Sequence, residues 1–353
     1  MQRAARITVR FATFLALAGG LLAACSPADP VSIGNLPDDP VENTPIAPAP
    51  PTAPPTASPE LTGIPVGTHM IPPDELVARR AQYSATLRRL TPDNVDTYLQ
   101  FALDNGLREI VSIVGKEFMK DGSGRFSMVN WLALADQWKG TAPIFQKYVD
   151  SGTLIGIYVI DEPYCARCWA GTPPTMAEVL EMGRHVKALL GANVPTIARV
   201  APTWFVSQVS PADLAPAFDA GWCQWDYGSN PGVTASQYAA KCVQDAQTMG
   251  LKLVMGMNAL NGGDGSSGIH GTNSLQWQVS AAELTRYNGN FVTNPGVCAL
   301  SNWQFSPIYP SGGLTATQLA QVRAFDDRAD VKAALQAIND AAKARPYMDC
   351  RRH

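Results

Sequence analysis

The sequence predicts an α/β protein, a closed (β/α)8 barrel of the TIM type with one strand hard to detect, formed as a single domain by residues 61–353. Three observations lead there. Short β-branched runs alternate with amphipathic stretches from residue 63 onward, the pattern of βαβ units around a parallel sheet. Polar residues gather at the C-terminal ends of those runs, where barrels of this kind build their sites. An open doubly wound sheet is the alternative, but no Gly-rich phosphate loop follows any strand. The nearest stretch, "NGGDGSSG" at 261–268, lacks the Lys-Ser/Thr pair and the helix that such a loop requires.

The strands are expected at 64–69, 108–114, 154–162, 195–201, 221–227, 251–258 and 298–304. The eighth is expected either in 83–90, "YSATLRRL", or within 115–153. Helices are expected at 92–106, 128–150 in two pieces, 175–190, 211–219, 234–249, 280–289 and 315–343. Start signals such as Thr91-Pro92-Asp93 and Ser210-Pro211-Ala212-Asp213 open two of them. Gly106, Gly152, Gly191 and Gly250 are placed to end others.

Ahead of the barrel lie two segments of a different kind. Arg3, Arg6 and Arg10 precede a short apolar core, "FATFLALAGGLLAA", which is a secretory signal pattern. "LAAC" resembles a bacterial lipobox, which implies cleavage after residue 24 and lipidation of Cys25, giving a membrane anchor. Ser26 then suggests sorting to the outer membrane or cell surface. Residues 26–60 hold 11 of the 28 prolines and too little apolar surface to fold, so they read as an extended tether.

Without the three signal arginines the chain has 24 basic and 30 acidic residues, net −6. That balance argues against a nucleic-acid partner, and a monomer is expected. Cys165, Cys168, Cys223, Cys242, Cys298 and Cys350 remain, an even number that reads as disulfides in an exported chain. The C-x2-C at Cys165 and Cys168 could open a zinc site, but no second such pair exists. The expected pairs are Cys165–Cys168 clamping a loop, Cys223–Cys242 joining a strand to its next helix, and Cys298–Cys350 tying down the tail. No metal and no cofactor are expected.

Side chains alternate faces along a strand, so each strand end can be phased. In 155–162 the Gly156, Tyr158, Ile160 and Glu162 face suits the crowded interior, which aims Glu162 into the mouth and Asp161 beside it. If Cys223 faces a helix, then Trp222, Gln224 and Asp226 face inward. By the same alternation Asn258 should face inward, and Arg199 could bring a guanidinium into the barrel near the carboxylates. With His69 at the end of the first strand and Trp303 near the end of the last, these are candidate substrate contacts, as are Tyr164 and Trp204. Bland readings stand beside these: Arg199 and Asp226 as a mere internal ion pair, His69 as a structural histidine, Asp264 and His270 as solvated turn residues. Glu162 resists such a reading, because a carboxylate is costly to bury without a task or a partner.

The stretch "GIYVIDEPY" resembles the end of the fourth strand in glycoside hydrolase barrels, where Asn-Glu-Pro or Asp-Glu-Pro carries the acid/base glutamate. The resemblance implies Glu162 as proton donor with Asp161 as the adjacent polar position, and Trp303-Gln304 resembles the aromatic end of the last strand. The nucleophile that the largest such clan carries on strand seven has no counterpart in "LKLVMGMNAL" or in "CALSNWQFSP". Asp226 is therefore the first choice for the second carboxylate that glycoside hydrolysis usually needs, followed by Asp161 and Asp264. Glu162 can serve as the acid if apolar surroundings of Ile160, Tyr158 and nearby Trp favour its protonated form. Tyr164, Trp169, Trp204, Trp225 and Trp303 offer faces for sugar stacking, with core packing as the alternative for about half of them.

The expectation is a membrane-anchored glycosidase acting on an extracellular or periplasmic carbohydrate. Its rival is a catalytically inactive barrel that binds a glycan or an envelope partner. A metal-dependent hydrolase using Asp161, Glu162, Asp226 and His69 is a weaker third, since the chain has only four histidines.

Overall fold

The computed structural model of the protein describes residues 62–352. Cys25, the signal segment and the proline-rich tether lie outside them. Eight strands close into one parallel barrel in sequence order, with the last paired to the first. They are β1 (Val66–His69), β2 (Ala85–Arg89), β3 (Arg108–Ser112), β4 (Leu154–Asp161), β5 (Thr196–Arg199), β6 (Ala220–Trp225), β7 (Lys252–Met257) and β8 (Val297–Asn302). The strand that was hard to detect is β2. Its C-terminal half reads as charged surface, yet Arg88 is fully buried between barrel and helices. There it lies near Glu109 and over the Tyr98 ring and donates to the Ile71 carbonyl at 2.7 Å.

Helices fill the outer layer: α1 (Pro73–Ala78), α2 (Val95–Asp104), α3 (Met128–Ala135), α4 (Ala142–Asp150), α5 (Met176–Leu190), α6 (Pro202–Val206), α7 (Pro211–Leu214), α8 (Ala235–Met249), α9 (Ala281–Val292), α10 (Ala316–Arg323) and α11 (Ala329–Lys343). Helices α5, α8, α9 and α10 each open on a reciprocal cap, in Thr175/Glu178, Thr234/Gln237, Ser280/Glu283 and Thr315/Gln318. Each cap satisfies backbone N–H groups that the first turn leaves unpaired. Gly250 ends α8 in the left-handed region at φ 64°, where a side chain would be strained.

Two expected helices differ. The stretch 211–219 holds only the short α7, and an unforeseen α6 precedes it. The stretch 315–343 breaks between α10 and α11 because Asp326 turns inward. Its carboxylate accepts from Tyr83 and from the Ser306 amide, and its own amide donates to Ser306 Oγ. A long-range buried network thus overrides local helix preference.

The barrel interior holds Ala85, Leu87, Ile110, Ile155, Tyr158, Ile197, Ala220, Trp222, Val254 and Ala299. The C-terminal tail closes the end opposite the mouth. Cys350 bonds Cys298 within the interior cluster, and Arg108 donates to the carbonyls of Gly152, Gly63 and Met348. Cys223–Cys242 joins β6 to α8, and Cys165–Cys168 closes a turn after β4. The Cys298–Cys350 bridge spans 52 residues of chain. Its loss through Cys350→Ser is expected to lower unfolding free energy by about 2–4 kcal/mol in urea titration, chiefly by freeing the unfolded chain.

Candidate active site

Strand β4 carries the centre of the site, and its phase is set by a bulge. Tyr158 pairs with Ile197, but the next partner, Ala198, pairs with Ile160, so Val159 is skipped. Val159 and Ile160 both pack in the outer core, and the side chain after them re-enters on the Tyr158 face. This corrects the simple alternation. Asp161, rather than Glu162, shares the inner face with Tyr158, and Ile160 is no neighbour of the site. A bulge beside a functional residue commonly re-aims a side chain in this way.

Glu162 follows at φ 44°, in the left-handed region that costs a non-glycine residue roughly 1–2 kcal/mol. Bonds on both sides hold it there. Its amide donates to the Arg199 carbonyl at 3.3 Å, and its carbonyl accepts from the Cys165 amide at 3.0 Å and from Trp169 Nε1 at 3.2 Å. Its side chain stays 37% exposed at the mouth. The group against its carboxylate is Lys116 Nζ at 3.1 Å, not the apolar wall expected from Ile160.

Asp161 lies between two cations. Arg199 Nη1 donates to Oδ1 at 2.7 Å and Lys116 Nζ to Oδ2 at 3.3 Å, while Arg199 Nε also reaches Gln224 Oε1 at 3.1 Å. Burial works to raise the Asp161 pKa, but Arg199 and then Lys116 outweigh it and hold the carboxyl well below the usual carboxylate range. Arg199 therefore pairs with Asp161 and not with Asp226. Asp226, just beyond β6, accepts from Asn258 Nδ2 at 2.9 Å and from the Ser229 amide at 3.1 Å. Burial pushes its pKa up against those hydrogen bonds.

His69, at the end of β1, is 8% exposed and stands edge-on to Trp222 with ring centroids 5.3 Å apart. Burial, and then the charge of Arg199, lowers its pKa from 6.5 to about 3. The imidazole thus stays neutral in the fold while the unfolded chain takes up a proton below about pH 6.5. Each pH unit below about 6 should therefore remove about 1.4 kcal/mol of stability until the folded pKa is reached. His69→Gln should flatten that slope between pH 6 and 4 in a urea-unfolding series; an unchanged slope would assign the acid sensitivity elsewhere.

The aromatic candidates divide. Tyr164 is 54% exposed on the loop after β4, and Trp303 is half-buried beyond β8, edge-on to Tyr309. The Trp303 amide donates to the Met257 carbonyl, and the Trp303–Gln304 peptide is cis. Trp204 is half-buried and packs on Phe205 and the outer core. Trp169 and Trp225 are buried, which removes them as stacking faces. His270 stacks on Trp277 at 4.0 Å, and Asp264 belongs to a loop network with Ser266, Glu283 and Arg286.

The residue that sequence reasoning missed is Lys116, in a single 3-10 turn after β3. Its one sequence signal is a lysine directly behind Gly115 at a strand end. Among the described residues, His69, Asp161, Glu162 and Asp226 do not gather into a group of three that could hold a metal.

The fold and this mouth define a (β/α)8 barrel with a charged site at the C-terminal ends of its strands. No family model matches the chain, and no curated protein matches it. Solved structures do. A GH5_18 protein from Bifidobacterium longum subsp. infantis aligns with TM-score 0.52 and 9% identity over 81% of each chain. The cellulose synthase subunit Z of Clostridioides difficile aligns with TM-score 0.48 and 11% identity, covering 77% of this chain and 99% of that one. A GH128 endo-beta-1,3-glucanase from Amycolatopsis mediterranei, in complex with laminaritriose, aligns with TM-score 0.46 and 11% identity over 79% and 99%. The likeness to the first is one of fold.

Proposed function

We propose that this protein is a carbohydrate-active barrel, a glycoside hydrolase in which Glu162 is the general acid/base. The observation that carries the reading is a solvent-reachable glutamate held in a strained turn at the end of β4 in a closed barrel. The shared fold with a GH5_18 protein supports it as analogy.

Glu162 donates a proton to the glycosidic oxygen as the bond to the anomeric carbon breaks. Lys116 is shared with Asp161, so it keeps a carboxylate partner while Glu162 is in its acid form. Asp226 accepts the proton of the attacking water, and its raised pKa suits a base working nearer neutrality. Strands β4 and β6 are two apart, roughly 10 Å between backbones. A carboxyl separation near that spacing would leave room for a water between the two groups, as inverting enzymes require. Asp161, locked to Arg199, positions that guanidinium and shapes the field of the mouth.

The test is reducing-end release from a panel of polysaccharides, with the first-formed anomer read by NMR. Release with inversion is expected; retention would remove Asp226 as base. A glycan-binding barrel without turnover is the second reading, favoured by Asn258 and Trp303 standing where β7 and β8 could have offered an acid. Binding without release, unchanged in Glu162→Gln, would decide for it.

The chain is further inferred to be an exported lipoprotein, anchored through Cys25 at the outer membrane or cell surface. Three disulfides suit an oxidising compartment. Metabolic labelling with a fatty-acid analogue should mark the wild type and not Cys25→Ser; equal labelling would reject the anchor.

A further inference from the structure

The turn after β4 carries chemistry that hydrolysis does not use. Cys165 and Cys168 form a disulfide across a three-residue step, and both are half-buried at the mouth. The other four cysteines, Cys223, Cys242, Cys298 and Cys350, are essentially fully buried. Glu162 Oε2 lies 3.8 Å from Cys168 Sγ. One oxygen of Glu162 and the two sulfurs all fall within 4.8 Å of one another, the one such trio of potential metal ligands among the described residues.

We propose that the Cys165–Cys168 bridge is reducible in the folded protein, and that its dithiol form together with Glu162 is a site for a zinc-class divalent cation. A dithiol reductant supplies two electrons and two protons; the S–S bond breaks, two thiols form, and the reductant closes its own disulfide. The cation then displaces both thiol protons and is held by two thiolates and one carboxylate, with water in the fourth position.

The dimensions suit this. With Zn–S at about 2.3 Å and Zn–O at about 2.1 Å, tetrahedral donors stand about 3.6–3.8 Å apart. The Glu162 oxygen is already at that distance from Cys168, and the two sulfurs need only rotate apart once the bond opens. The backbone frame does not depend on the bridge. The Cys165 amide bonds the Glu162 carbonyl at 3.0 Å, the Cys168 amide bonds the Cys165 carbonyl at 2.9 Å, and Trp169 Nε1 anchors the Glu162 carbonyl. So short a loop also constrains the unfolded chain least of the three bridges, and its reduction leaves the barrel folded.

Site access therefore becomes redox-dependent. An ion on Glu162 takes that carboxylate away from Lys116 and from any substrate. The metal site itself does not rest on the hydrolase reading, because its binding is measured without turnover.

The test starts from the folded protein treated with a water-soluble phosphine, which becomes its oxide, and then alkylated. Peptide mapping should find Cys165 and Cys168 labelled and the other four protected, with circular dichroism unchanged. Cobalt(II) added to reduced, unalkylated protein should give a thiolate-to-cobalt charge-transfer band at one equivalent, displaced by zinc. Oxidised protein and Cys165→Ser should give none. Glu162→Gln should keep the band but bind weaker by on the order of 10-fold or more. Free thiols at both positions without a band, labelling of the buried cysteines first, or equal affinity in Glu162→Gln would each overturn the proposal.

Discussion

Glu162→Gln is expected to lower turnover on the best glycan by about 10²–10⁴-fold, the usual worth of a positioned general acid, while the melting temperature stays near that of the wild type. Gln keeps the volume and an oxygen for Lys116 but has no proton to give. The left-handed backbone at this position is held by the main-chain bonds to Arg199, Cys165 and Trp169, none of which involves the carboxylate. The substitution should therefore act on kcat more than on folding or binding. Asp226→Asn should give a loss of similar kind with a different pH profile, because it removes the base and leaves the acid. Undiminished turnover in a folded Glu162→Gln protein would end the assignment.

The second large effect concerns stability. Arg199→Met should cost about 3–5 kcal/mol, since it leaves a mostly buried Asp161 with only Lys116 and the Tyr158 hydroxyl as partners and leaves Gln224 Oε1 without its donor. Arg199→Lys should recover part of this: the charge returns, but one ammonium cannot serve Asp161 and Gln224 with the fork of a guanidinium. A double-mutant cycle with Asp161→Asn isolates the pair, and the double variant should be less destabilised than the sum of the singles.

The pH dependence follows the same pair. Asp161 is held below the about 3.9 of an unfolded Asp, so its contribution is complete above that pH and is lost as pH falls through the depressed folded value. In Arg199→Met the folded pKa moves up toward the unfolded one, so the acid loss should end at higher pH and be smaller in total. A loss below about 1 kcal/mol in urea titration would show that the ion pair contributes little to the fold.

Much of the architecture is legible in the sequence alone. Strand periodicity, the Ser/Thr caps and the glycines at helix ends are local signals, and they located seven strands and most helix starts. What misled was non-local. The charged β2 looked like surface because its burial depends on Glu109 and Tyr98, on neighbouring elements. The unbroken helix expected over 315–343 ignored Asp326, whose partners Tyr83 and Ser306 are remote in sequence.

The candidate site shows the same division. That β4 ends in adjacent carboxylates, and that Arg199 and Gln224 face inward from the next two strands, could be phased from the sequence. Which carboxylate enters the barrel could not, because one skipped residue at Val159 reverses every face after it. Alternation within a strand is a property of its own backbone and is written in the order of residues. The bulge, the delivery of Lys116 between Asp161 and Glu162, and the burial of Trp169 and Trp225 depend on how strands register against one another. Only the closed barrel sets that register, since the free energy of each pairing lies in partners that are far apart along the chain.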